Sequence, residues 1–418
     1  MHRSDVPRSP RSLRDNRDFA VLWSGEAVSE LGSSMTGLVM PLVAYAISAS
    51  TTQAGLVGSV SLASTLLWRL PAGALVDRWR RDRVLVGANL LGALLFASVA
   101  VAAWLQALTI GHLLLVAAVS GAAEAFHAPA MSAAVRTVVP EEQRPTAYSL
   151  LQARGHGASL AGPPLGGLLY AAGRAVPFVL DAASFAVAAV SVRFLRTPLP
   201  APDLPPESVG RRIGAGLRFV WGTRVVRALM LWGGLLNLAM GMVWVTVLLR
   251  LLRAGVHPAA IGVVEGVSAA AGLVGALVAP PLVRRARTGR LTVVTGVLIG
   301  VELAFLSLTT SPWLTGALLA AGTFLMPANN AGISAYLAFV VPDEMQGRMN
   351  AAAGFVAGGL APLGPVLAGA LLATVGGVVT TLVGAALVVT SVAPILATPS
   401  ARDLGRPDQW RPAAGAPD

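Results

Sequence analysis

The stretch Gly73-Ala-Leu-Val-Asp77-Arg78-Trp-Arg80-Arg81-Asp82-Arg83-Val-Leu85 decides how the rest of the chain is read. It is a short, charged connection between two apolar runs, residues 55–76 and 84–105. Each run is about the twenty residues that a helix needs to cross a hydrocarbon core. Four arginines in so short a loop mark it as cytoplasmic, because loops rich in Lys and Arg are retained on that side. Topology alone explains the arginines. It does not explain Gly73 and Asp77 at their offsets.

Composition agrees with a polytopic membrane protein. Of 418 residues 55% are hydrophobic and 12% charged, and the mean hydropathy is +0.69. A soluble domain carries roughly a quarter charged residues. There is no Cys, which excludes disulfides, thiol catalysis and cysteine metal sites. All 31 basic residues are Arg, so no P-loop Lys exists to reach the phosphates of ATP. The net charge of +11 falls in loops that face anionic lipid, and no nucleic-acid partner is needed to account for it. Residues 1–17 hold five arginines and no apolar core, so no cleavable signal is expected.

Taken in order, residues 1–18 read as a cytoplasmic arm. Six apolar runs follow, at 19–47, 55–77, 84–105, 112–139, 148–171 and 176–195, giving a first half at 19–196. Residues 197–206 are rich in Pro and cannot be membrane helix, so the boundary between halves is placed there. The linker at 197–227 ends in an Arg-bearing amphipathic segment at the inner surface. A second half at 228–397 holds runs at 228–249, 258–283, 291–308, 312–341, 347–375 and 378–397. The cytoplasmic tail, 398–418, is short, polar and expected to be disordered. This assignment puts 27 of 31 arginines inside, Arg174, Arg250 and Arg253 outside, and Arg69 within a helix. Both termini are then cytoplasmic.

The halves repeat. Val139-Pro-Glu-Glu142 matches Val341-Pro-Asp-Glu344, and Gly162-Pro163-x-x-Gly166-Gly167 matches Gly364-Pro365-x-x-Ala368-Gly369. Ser132-Ala133 and Ser334-Ala335 share the same offset of 202 residues. Parallel six-helix repeats place a substrate site between the halves, near the membrane midplane.

On these residues the chain resembles a twelve-helix major facilitator transporter, an all-α polytopic fold. The quoted loop is similar to that between the second and third helices of the family, and departs from it at Arg80 and Asp82. The opening Asn16-Arg-Asp-Phe-Ala-Val-Leu-Trp-Ser-Gly-Glu resembles the branch of macrolide-efflux proteins and enterobactin exporters. Gly162, Pro163, Gly166 and Gly167 resemble the fifth-helix motif of antiporters that export. Glycines four apart also let neighbouring backbones approach closely, whatever the direction of transport. The resemblance implies a gating latch at Gly73, Asp77, Arg78 and Arg81. It also implies a cavity lined by helices one, two, four, five, seven, eight, ten and eleven. Ala118 stands where many proton-coupled exporters carry a membrane-embedded Arg before Gly121, so their coupling scheme does not transfer directly.

Ionisable groups inside a membrane helix are costly, and each needs a partner or a purpose. Glu26 and Glu30 lie one turn apart and repel when both are ionised, so at least one is expected to hold a proton. Glu124 sits near the middle of helix four. With Arg69, Asn237, Glu265, Asn329 and Asn330 these residues are the candidates for proton or substrate contact. Glu30, followed by Glu124, is the expected proton carrier. Asp181 and Glu302 fall on helices six and nine, outside the implied cavity, and His127 and His156 read as packed residues. No His/Cys/carboxylate cluster suggests a metal, no cofactor is expected, and no nucleophile–base pair suggests an enzyme. The expected function is secondary active export of a small amphipathic compound, such as a drug or secreted natural product. Uptake by symport is the alternative within transport, and a transport-dead sensor the one outside it. The implied setting is a bacterial plasma membrane, with a small-molecule substrate, lipid and protons as partners, and the chain acting as a monomer.

Overall fold

A computed structural model of the chain describes residues 13–76, 78–200 and 209–410. Asp77 lies outside them, and with it the centre of the expected latch. Among the described residues the regular structure is helical, without a strand. The first helices are α1 (Arg17–Ser48), α2 (Thr51–Val76), α3 (Arg81–Trp104), α4 (Ile110–Val138), α5 (Arg144–Ala172) and α6 (Val176–Arg193). Then come α7 (Val209–Gly222), α8 (Arg224–Arg253), α9 (Pro258–Arg285), α10 (Thr288–Leu306) and α11 (Pro312–Val340). The chain continues with α12 (Asp343–Gly358), α13 (Leu363–Thr374), α14 (Gly376–Ser391), α15 (Ala393–Leu396) and α16 (Pro399–Arg402). Among the described residues nine segments are long and apolar enough to cross a membrane, α13 being counted with the end of α12 and α14 with α15. Three further long helices, α2, α5 and α11, pack among them. Their windows are less apolar because they carry Arg69, Arg154 with His156, and Asn329 with Asn330. The chain is an all-α, multi-pass membrane protein.

Local chemistry sets the ends of these helices. Asn16 caps α1 by accepting from the Phe19 N–H at 3.0 Å, and its amide donates to Val138 O at 2.8 Å, fastening α1 to the end of α4. Thr109 caps α4, and Pro258 and Pro312 open α9 and α11, where a missing N–H costs nothing. Asp18 ties the linker to the bundle. Its buried carboxylate accepts from Arg196 N at 3.1 Å, Thr197 N at 2.7 Å and Thr197 Oγ1 at 2.6 Å. Charged hydrogen bonds contribute about 1.5–3 kcal/mol each, so Asp18→Ala should cost about 3 kcal/mol in all once water replaces part of the loss. A drop in the thermal midpoint of the purified protein reads this out; an unchanged midpoint would leave the bonds without net effect.

We call the end of the bundle where α1 begins the near end. The first six helices meet the later ones mainly at the opposite, far end, where α5 packs on α9 and α2 on α13. Thr51 Oγ1 donates to Gly369 O at 2.8 Å there, and the Val366 N–H donates to Ser59 Oγ at 2.9 Å. On the near half of α2 Leu67 is 73% exposed, although Ala72 and Val76 beyond it are buried.

Four features depart from the sequence reading. The seventh span starts at Arg224 and ends at Arg253, so Arg250 belongs to a helix and not to a loop. Its guanidinium donates to Leu306 O, Ser307 O and Thr309 O at 3.0–3.1 Å, satisfying carbonyls that the end of α10 leaves open. Arg154, counted above with the inside segments, lies within α5. The eleventh span is broken between Gly358 and Leu363, because Pro362 and Pro365 supply no N–H and crowd the preceding turn. Finally, the described part of the tail packs onto the bundle. Leu404 and Gly405 carbonyls accept from Gly289 N and Thr288 N at the start of α10, and the Trp410 ring meets Tyr336 and Phe339.

Candidate transport site

Four helices of the first six bring charged or polar groups to one cavity of about 250 Å³. Helix α1 supplies Glu26 and Glu30, α4 supplies Glu124 and His127, α3 supplies Asn89 and α5 supplies Arg154. The spacing does much of this. Residues three or four apart share one helix face, so 26 with 30 and 124 with 127 each present a pair.

The three acids stand in different chemical situations. Glu30 Oε2 accepts from Arg154 Nε at 2.6 Å, a short charge-assisted bond. Arg154 Nη1 is buried and has no hydrogen-bond partner among the described residues. Glu26, 4% exposed, meets His127 Nε2 at 3.1 Å and accepts from Asn89 Nδ2 at 3.3 Å. That pair is an imidazolium–carboxylate contact or a neutral hydrogen bond, according to where one proton resides. Glu124 lines the same cavity with no hydrogen bond or ion pair of its own among the described residues. One acid is locked, one shares its proton with an imidazole and one is unpartnered.

The other sequence candidates do not join this cluster. Arg69 is exposed on α2, its guanidinium 3.3–3.4 Å from where a Cβ on Gly354 of α12 would stand. Asn237 donates to Ala357 O at 3.1 Å, linking α8 to α12, and Glu265 on α9 lies beside the Trp244 side chain of α8. Asn330 is exposed. Asn329, expected to face the cavity, is fully buried against α10 and accepts from Thr292 Oγ1 at 2.8 Å. Its neighbour in sequence points away because adjacent helical residues lie about 100° apart. Asp181 accepts from Thr36 Oγ1 at 2.6 Å, and Glu302 is buried against Gly322. Arg81, of the expected latch, donates to Thr137 Oγ1 at 3.3 Å, whereas Arg78 is exposed. A Cβ on Gly73 would meet nothing within 4 Å. Among the described residues no group of three His, Cys, Asp or Glu could hold a metal ion.

The helix-five motif has a clear geometric meaning. A Cβ on Gly166 would stand 2.7 Å from Met35 O of α1, while Gly167 and Pro163 lie against Pro258 and Gly262 of α9. Small residues here let α5 touch two helices at backbone distance.

Sequence reasoning missed His127, Arg154 and Asn89. Arg154 lies ten residues beyond the start of α5, roughly 15 Å along the helix. An arginine at that depth requires an acid opposite it, which was the available signal. His127 shares a face with Glu124, and that pairing was legible as well. Asn89 carried no signal, since the resemblance places helix three outside the cavity.

Residues 22–365 match the model of the Major Facilitator Superfamily, and the chain belongs to that superfamily of membrane transporters, which are not enzymes. Among individual proteins, it is 28% identical over 365 residues to the multidrug efflux pump Tap of Mycolicibacterium fortuitum, covering 84% of this chain and 87% of that one. It is 28% identical over 184 residues to macrolide efflux protein A of Streptococcus pyogenes, covering 43% of this chain. The chain spans only 45% of that relative's length. Its fold is similar to the crystal structure of a mutant of the nucleoside transporter NupG, with a TM-score of 0.74 at 13% identity over 90% of this chain and 99% of the other.

Proposed function

We propose that this transporter exports small amphipathic compounds by alternating access, driven by protons. The observation that carries the reading is Glu124, a carboxyl group without a bonding partner among the described residues, in one cavity with the Glu26–His127 pair. Such a group exchanges a proton without first breaking an ion pair. Glu30, the first choice on sequence grounds, is already engaged by Arg154, so the carrier role moves to Glu124, with His127 and Glu26 as its relay. The efflux proteins among the relatives support export, as does the resemblance of Gly162, Pro163, Gly166 and Gly167 to the fifth-helix motif of exporting antiporters.

The arginine-rich near end faces the cytoplasm of a bacterial plasma membrane, and the two termini lie there. Residues 19–196 and 228–397 act as two six-helix halves that rock about the substrate. With contacts closed at the far end, the site between them is reached from the cytoplasm. Arg69, Asn237 and Glu265 are the polar groups offered to a substrate between the halves, with Trp244 supplying apolar surface beside Glu265.

Everted membrane vesicles test this directly. A panel of amphipathic drugs and natural products should accumulate in vesicles containing the protein when respiration acidifies the lumen, and an uncoupler should abolish the effect. Accumulation that ignores the uncoupler, or that occurs only in right-side-out vesicles, would overturn proton-driven export.

A further inference from the structure

We propose that a groove between the near ends of α3 and α4 binds an anionic phospholipid. The groove encloses about 550 Å³ and is walled by Trp79, Val84, Leu91 and Phe126, with Arg78, Arg80 and Arg83 along it. The Trp79 and Phe126 rings stack at 5.9 Å, giving the slot a flat apolar side. Arg80 is engaged by Asp82 through bonds of 2.8 and 3.2 Å. Arg78 and Arg83 are exposed and have no acidic partner among the described residues. Two guanidinium groups without an acidic partner among the described residues, beside an apolar slot, fit a molecule with an anion at one end and hydrocarbon at the other.

The direction of the slot selects its source. Gly87, Leu91 and Leu94 follow one face of α3, and Leu94 is 69% exposed, so the groove runs into the apolar face that this helix turns to the bilayer. A free phosphate would use the arginines and leave the slot empty. A phospholipid uses both, its headgroup held where basic residues meet the membrane surface. Ala88 and Ala123 line this groove and the acidic cavity alike, so the bound lipid lies against the wall of that cavity. The inference does not depend on export or on proton coupling.

The test uses the full chain, delipidated in detergent and offered phosphatidylglycerol or phosphatidylcholine with identical dioleoyl chains, with retained lipid counted by native mass spectrometry. An arginine near an anionic surface contributes about fivefold, so phosphatidylglycerol should be preferred roughly 25-fold through Arg78 and Arg83 together. Arg78→Gln with Arg83→Gln should remove that preference. Leu91→Trp, which fills the slot and leaves the charges, should lower retention of both lipids severalfold. Arg193→Gln, an exposed arginine outside the groove, should change nothing. Equal retention of the two lipids by the native chain would overturn the proposal. So would an Arg193→Gln loss as large as the double variant's, which would mean diffuse surface attraction. Displacement by inorganic phosphate, with Leu91→Trp indistinguishable from the native chain, would reduce the groove to an anion site.

Discussion

Glu124→Gln should reduce uphill, uncoupler-sensitive accumulation to the level seen without a gradient, while downhill exchange of the same compound remains measurable. Glutamine keeps the shape and polarity of the side chain and removes only its ability to carry a proton. The chain should therefore fold and bind substrate as before. Glu30→Gln makes the contrast. It leaves Arg154 without its carboxylate inside α5, and breaking a buried pair costs about 3–5 kcal/mol. Because Glu30 is 38% exposed, about 2 kcal/mol is expected here, seen as lower yield and a lower thermal midpoint. Pairing Glu30→Gln with Arg154→Gln should recover much of that stability, since no lone charge then remains. Full proton-driven transport by Glu124→Gln would remove this residue from the coupling scheme and return attention to the Glu26–His127 pair.

Gly166→Leu should abolish transport although the substituted residue touches neither substrate nor proton. The new Cβ would stand 2.7 Å from Met35 O and 3.1 Å from Met35 Cα, atoms of the α1 backbone that no rotamer change can move. Overpacking of this kind costs about 1–3 kcal/mol, and here it acts on α1, the helix that carries Glu26 and Glu30. The wedge displaces both acids relative to His127 and Arg154. Leu165→Ala, one residue earlier and 38% exposed, should transport normally. Counterflow measured in proteoliposomes separates the two. If both variants perform alike, close approach of α5 and α1 has no part in the transport cycle.

Much of this was legible in the chain itself, for identifiable reasons. Apolar runs of twenty residues, separated by arginine loops, have few folds open to them in a bilayer, and the repeat at 202 residues narrowed these to paired six-helix halves. Glu26, Glu30 and Glu124 were found because a carboxylate in hydrocarbon is conspicuous. Their partners were harder to see. Arg154 was absorbed into a topological tally that placed every arginine but Arg69 outside the spans, and His127 was read as a packed residue. Asn329 was misplaced because an asparagine pair does not reveal which member faces a neighbour. The packing of the tail depended on Leu404 and Trp410 finding α10 and α11, a contact between segments more than seventy residues apart from one another, which no local pattern reports.

The break in the eleventh span gives this bundle a joint. Below it α12 keeps company with α7 and α8, and above it α13 is riveted to α2 through Thr51 and Ser59. The four residues between Gly358 and Leu363 carry two points, Gly359 and Pro362, at which an unbroken ladder of backbone bonds is already missing. Swinging α12 therefore flexes a turn and bends no intact helix. A swing of α12 about this turn would fall on the microsecond-to-millisecond scale of hinged motions. Near-end closure by such a swing would leave the Thr51–Gly369 and Ser59–Val366 bonds in place, so the two ends of this span need not move as one.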